Sequence, residues 1–194
     1  MRYTRIPETA FQNLQLNAGV LLSDFDPAAG TVEETDIMGA TSGGVAFAAT
    51  PEFSDFGEDI DNCPVNVLEL KRLDSWEVTM SGTFITVSTT LVKDLIGAAD
   101  IAATKVVPRN DVATTDFKDI WWVGDYSDKN GETKGGFVAI HMLNGLSTGG
   151  FQLQSGNREK GQFEFEFTGH YSINAQDTVP FEVYVKAGTD EEEA

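Results

Sequence analysis

Residues 162–168 read QFEFEFT, three phenylalanines alternating with two glutamates. Successive side chains of a strand leave on opposite faces, so this period places Phe163, Phe165 and Phe167 on one side and Glu164 and Glu166 on the other. The phenylalanines need a second layer to cover them, and the carboxylates need water or a wet cavity. Other segments repeat the period. NLQLNAGVLL puts Leu14, Leu16, Ala18 and Val20 on one face. FEVYVK turns Phe181, Val183 and Val185 toward a core, and Glu182, Tyr184 and Lys186 away from it.

Further strands are expected through TDIMGAT, GGVAFAATPEF, WEVTMSGTFITVS (with a bulge or twist near Gly82) and GGFQLQSG. DIWWVGDYSDKNGETKGGFVAIHML reads as two strands joined around Asn130-Gly131. One segment has helical spacing: in STTLVKDLIG, Leu91, Val92, Leu95 and Ile96 share a face. Ser88, Thr89 or Thr90 caps its start and Gly97 its end. Two to three turns do not hold alone, so this helix needs a sheet beneath it. The fold class is therefore mainly β (α+β), a β-sandwich or barrel with one short flanking α-helix. The 194 residues allow one domain with a sizeable core, assigned to residues 1–188, followed by an acidic tail at 189–194.

Residues 55–73 fit this pattern least. They are polar, carry Gly and Pro and charges of both signs, and read as a long loop, with Pro64 suited to opening a short helical turn. Loops of this length are usually functional or ordered by a partner. With few apolar residues to hold it down, the loop is expected to be mobile in a free chain. Its candidate contact residues are Asp55, Glu58, Asp59, Asp61, Lys71 and Arg72.

Charge narrows the function. Asp and Glu number 31 against 13 Lys and Arg, a formal −18, and such a surface repels nucleic acid. No run approaches the length of a membrane span, and the N-terminus lacks a secretory apolar region, so folding in a cytosol is expected. The single cysteine, Cys63, makes no internal disulfide and reads as a small apolar residue.

Catalytic and ligand motifs are missing. The two histidines, His141 and His170, lie in strand patterns, no G-x-S-x-G elbow occurs, and no phosphate-binding glycine motif is present. DYSDKNGET resembles a calcium loop, but fixing Gly131 at the sixth position puts Tyr126 first and Phe137 twelfth, and both fail. GEDID, with Glu58, Asp59 and Asp61, reads as a solvated loop. The reading is thus not an enzyme, with no cofactor and no metal. Trp121 and Trp122, adjacent in a strand, face opposite ways, so one is core and the other lies at a surface or contact. With Trp76 and Tyr126 they offer a sugar-stacking platform as an alternative.

Several segments together resemble the major tail proteins of long-tailed bacteriophages and prophages of Gram-positive hosts. They are NAGVLLSDFDP, IMGATSGG, ATPEFSDFGEDIDN, ELKRLDSWEVTMSGTF, LIGAAD, PRND, DIWWVGDYSDKNGETKGGFVAIHMLN and QFEFEFTGHYS, which run through most of the chain. The resemblance implies a structural protein. Six copies form a ring, and stacked rings make the hollow tail tube through which double-stranded DNA passes without tight binding. The ring interior is a continuous barrel to which every subunit contributes strands, and long loops reach between rings. It also implies assembly in the bacterial host cytoplasm, a place in the virion tail, no membrane, and tape measure, distal tail and tail terminator proteins as partners. A decoration or baseplate protein and a carbohydrate-binding β-sandwich are the alternatives.

On that implication, about four strands from each of six copies give a barrel of roughly 24, wide enough for a duplex. The ring carries 6 × −18 = −108. Acidic residues in the bore would repel the DNA backbone over about 8 Å at physiological salt. Glu164, Glu166 and Glu182 are the lumen-lining candidates. Lys71 and Arg72 are expected in an opposite-charge network between rings.

Overall fold

The computed structural model describes residues 14–126 and 136–187. The acidic tail at 189–194 and the turn at Asn130-Gly131 lie outside them. Ten strands and one helix follow in chain order: β1 (Gln15–Leu22), β2 (Ile37–Gly39), β3 (Thr41–Asp55), β4 (Lys71–Phe84), α1 (Thr89–Ile96), β5 (Ala99–Ala102), β6 (Lys105–Pro108), β7 (Lys118–Tyr126), β8 (Gly136–Ser147), β9 (Phe163–Thr168) and β10 (Phe181–Lys186). The strand-rich class with one helix is as the alternation implied.

All pairings are antiparallel. β2, β1, β7, β8 and β10 make one sheet, here sheet A. β3, β4 and β9 make sheet B, joined by the last residues of β8, where Leu146 and Ser147 pair with Thr168 and Phe167. β8 thus passes from one sheet to the other. The order β2-β1-β7-β8-β9-β4-β3 leaves β2 and β3 at its two ends, so the described strands of one chain do not close into a barrel.

The main core lies between the sheets. Leu21, Ile120 and Met142 of sheet A meet Val78, Met80, Phe84, Phe163, Phe165 and Phe167 of sheet B, all buried. Leu91 and Leu95 bring α1 onto the same core, as the helical spacing required. Ser88 caps the helix by accepting the Leu91 amide at 3.1 Å, and Gly97 ends it at φ 85°. A second cluster, Leu22, Phe25, Trp121, Val123, Phe137 and Ala139, covers the other face of sheet A. Consecutive residues Leu21 and Leu22 each enter a different cluster, and both are fully buried.

Four expectations need correction. In β1, Asn17 and Gly19 have positive φ and the register shifts between Leu16 and Val20, so the face drawn through Leu14, Leu16, Ala18 and Val20 is broken, and Leu14 is exposed. Gly19 is required there, because a Cβ would come within 2.6 Å of the Trp122 ring. GGFQLQSG forms no strand. It makes one bridge, Gln154 to Gln162, and Phe151 and Leu153 stay exposed. β5 and β6, a hairpin turning at Ala103 (φ 56°), lie where no strand was expected. In β10 the alternation holds but its consequence does not. Phe181 packs on Phe47 and Trp76, whereas Val183 and Val185 are 52% and 61% exposed, because that packing contact from sheet B is made at Phe181.

Candidate functional site

Sheet B has one dry face and one wet one. Across β3, β4 and β9 the register aligns Ala46 with Ser81 and Glu166, Ala48 with Thr79 and Thr168, and Thr50 with Glu77. Glu52 aligns with Ser75, and Thr83 with Glu164. These side chains face away from the core residues that alternate with them. The wet face therefore carries four glutamates (Glu52, Glu77, Glu164 and Glu166), all exposed, among serine, threonine and alanine. No lysine or arginine occurs in residues 41–52, 73–84 or 163–168. Hydroxyls and carboxylates bond one another here: Ser75 donates to Glu52 at 2.7 Å, and Thr148 lies 3.3 Å from Glu166 Oε1 and 2.8 Å from the Thr168 hydroxyl. A groove of about 290 Å³ runs past Ser81, Thr83, Gln152, Glu164 and Glu166.

Glu164 and Glu166 stand together on this face as their alternation implied. Glu182 does not join them. It lies on sheet A, where Tyr184 donates to its Oε2 at 2.5 Å and His141 Nδ1 stands 3.7 Å away. Glu52 and Glu77 were missed, although each sits in an alternating segment, because those segments are less regular than QFEFEFT.

The long segment after β3 is shorter as a loop than expected. Asp55 belongs to β3, and Lys71, Arg72 and Leu73 belong to β4, so the two strands project together as an arm whose tip is residues 56–70. The arm bends where the register shifts between Glu52 and Phe53, opposite an extra residue, Asp74. Asp74 accepts from Ser54 and pairs with Arg72 at 3.6 Å.

The tip is tied by one carboxylate. Asp55 Oδ1 accepts the Gly57 amide at 2.8 Å and Oδ2 accepts the Asn66 amide at 2.7 Å, closing an 11-residue span. Those two amides, and Lys71 more weakly, hold the Asp55 carboxyl below the usual aspartate range against the opposing effect of partial burial. Lys71 donates to Asn66 Oδ1 at 3.1 Å and sits 5.2 Å over the Phe53 ring. Both cations expected to bridge rings therefore have partners within the arm. Glu58, Asp59 and Asp61 are exposed at the tip. The arm is more apolar than its polar composition implied: Phe53, Phe56, Ile60, Val65, Leu68 and Leu73 are all between 44% and 84% exposed.

The remaining candidates have structural partners. His141 stacks on Trp121, and His170 Nδ1 lies 3.2 Å from the Asn144 carbonyl with its ring against Phe117. Trp122 Nε1 donates to the Ala18 carbonyl, and Trp76 packs on Phe181. Trp121 and Trp122 enter separate clusters, so the three indoles form no common platform. Among the described residues no group of three His, Cys, Asp or Glu side chains is placed to hold a metal ion, and no helix is long and apolar enough to cross a membrane. Neither models of known protein families nor curated proteins give a match to this chain.

Proposed function

We propose that this chain is a tail-tube subunit, a structural protein that polymerises into stacked rings around a bore for double-stranded DNA. The observation that carries the reading is the wet face of sheet B. It is a strand surface of small hydroxyls and four carboxylates, with no cation in residues 41–52, 73–84 or 163–168, and it ends at β3, whose outer side has no strand partner among the described residues. DNA presents one negative charge per roughly 1.7 Å of axis, so four carboxylates on such a wall repel the duplex and no cation of these strand segments offers its backbone an ion pair.

The free edge gives the wall a way to extend. β3 is 15 residues long and, among the described residues, pairs only with β4, so its outer side offers amides and carbonyls to an adjacent strand. β3, β4, β9 and the end of β8 make four strands per copy, the number a bore of about 24 strands needs from six copies. The resemblance in sequence supplies the six-fold ring, the virion setting and the other tail proteins as partners. The arm supplies a contact that reaches beyond one subunit.

The test is negative-stain microscopy of concentrated protein to which a distal tail complex has been added. Tubes with a central channel, or rings that stack, are the expected products. Protein that stays as separate molecules under those conditions overturns the reading, and protein that instead caps a capsid or binds a glycan points to a decoration or sugar-binding role.

A further inference from the structure

Among the described residues several apolar side chains are exposed, and two of the patches they form, on the arm and on β10, do not cover one another. The first is the arm tip, where Leu68 is 84% and Val65 is 65% exposed. The second is the part of β10 beyond Phe181. There Val183 and Val185 stand exposed beside half-buried Ile140 and Val138, their partners on β8. Exposed side chains of this size, grouped rather than scattered, mark contact surfaces.

We propose that the arm tip of one copy seats on the β10 face of a second copy, in an apolar head-to-tail contact. The proposal rests on the tube reading and adds the receptor and the chemistry of the contact. The two patches occupy different places on the chain, so the contact is heterologous: each copy offers a tip and a receptor, and repetition gives a ring or a filament.

Charge selects the receptor. The tip carries Glu58, Asp59, Asp61 and Glu69, so the acidic face of sheet B repels it. The β10 patch has no charge in its own rows. Glu182 and Lys186 alternate to the opposite face, where Glu182 meets Tyr184 and Lys186 lies over Phe137. Across β8 the rows continue into Trp122 and Gly124. An acidic-rimmed apolar tip thus meets an uncharged apolar floor. Asp55 is the positioning residue of the tip, because its two amide bonds fix the loop that displays Val65 and Leu68.

Cross-linking tests the pairing directly. In a Cys63→Ser background, chains carrying Leu68→Cys are mixed with chains carrying Val183→Cys, assembled and oxidised. Both substitutions are at exposed positions, so the monomer is expected to stay folded. The expected result is a disulfide-linked heterodimer on a non-reducing gel, formed in assembled protein and absent from dilute monomer. Tubes that form without this cross-link overturn the proposal and leave the tube reading intact, whereas failure of the wild-type chain to assemble at all overturns the tube reading itself. Salt gives a second measure. An apolar contact between chains of net charge −18 keeps or raises its yield of assembled protein between about 0.1 and 1 M salt. Disassembly over that range means an ionic contact and overturns the proposal.

Discussion

The imidazole of His141 lies flat on the indole of Trp121, ring centroids 3.8 Å apart and planes 5° from parallel. Its Nε2 is 3.1 Å from Asp119 Oδ2, and its Nδ1 faces Glu182. This one ring therefore joins β7, β8 and β10, and it stands beside Glu182, which β10 places on sheet A and away from the acidic face. Replacing His141 by Ala removes the stack and frees both carboxylates. The expected loss is about 1 kcal/mol, a drop of roughly 2–4 °C in the melting midpoint. Glu182→Gln should leave DNA passage through tubes unchanged, and an effect on passage equal to that of Glu166 substitution would place Glu182 in the bore after all.

The acidic face predicts a gain of binding. Glu164→Lys with Glu166→Lys replaces exposed carboxylates, so monomer stability should stay within about 0.5 kcal/mol of wild type. Assembled tubes should then retain duplex DNA in cosedimentation, and added salt should release it. Tubes of the double variant that ignore DNA at low salt would show that this face lies outside the channel.

Asp55 predicts how the arm tip responds to acid. Its folded-state pKa is depressed by the amides of Gly57 and Asn66. The stabilisation is thus complete above the ordinary carboxylate value of about 3.9, and it is lost as pH falls through the lowered folded value. Amide shifts of Gly57 and Asn66 should be flat from neutral pH down to about 5 and move only in stronger acid. Asp55→Asn should remove that acid transition and raise the protein concentration needed for assembly. Tip amides insensitive to both acid and the substitution would show that the carboxylate does not hold the loop.

A second carboxylate fastens the β5–β6 hairpin. Asp116 is buried, accepts the Ala113 amide at 2.8 Å and takes the Arg109 guanidinium through both oxygens at 2.6 Å. The Ala113 amide and, after it, the Arg109 charge hold Asp116 below the usual range despite the opposing effect of burial. Asp116→Ala should cost about 2 kcal/mol, or roughly 4–8 °C in the melting midpoint. The wild-type contribution likewise fades only when pH falls below the ordinary carboxylate range. Calorimetry that finds the variant as stable as wild type would show the pair to be neutral.

How much was legible depended on how local the cause was. QFEFEFT and STTLVKDLIG carry their own period, so the buried phenylalanines, the exposed glutamates and the Ser88 cap could be read directly. The arm could not. Its strand ends are polar, and what makes 53–73 an arm is pairing between residues far apart, Phe53 with Leu73 and Asp55 with Lys71. The second cluster around Trp121 escaped for the same reason. Leu22 and Phe25 cover it only because β1 is wedged beside β7.

The alternation of residue types fixed the strand-rich class, the single helix and the side of each strand on which carboxylates appear, because side-chain direction along a strand is a property of the backbone itself. Only the tertiary structure decided which alternating faces remain uncovered. Val183 and Val185 have the same local pattern as Phe181, yet they stand in solvent, and Glu182 lies beside His141 on sheet A while Glu164 and Glu166 are exposed on sheet B. Burial is set by what another segment brings across the gap, and that depends on the whole chain.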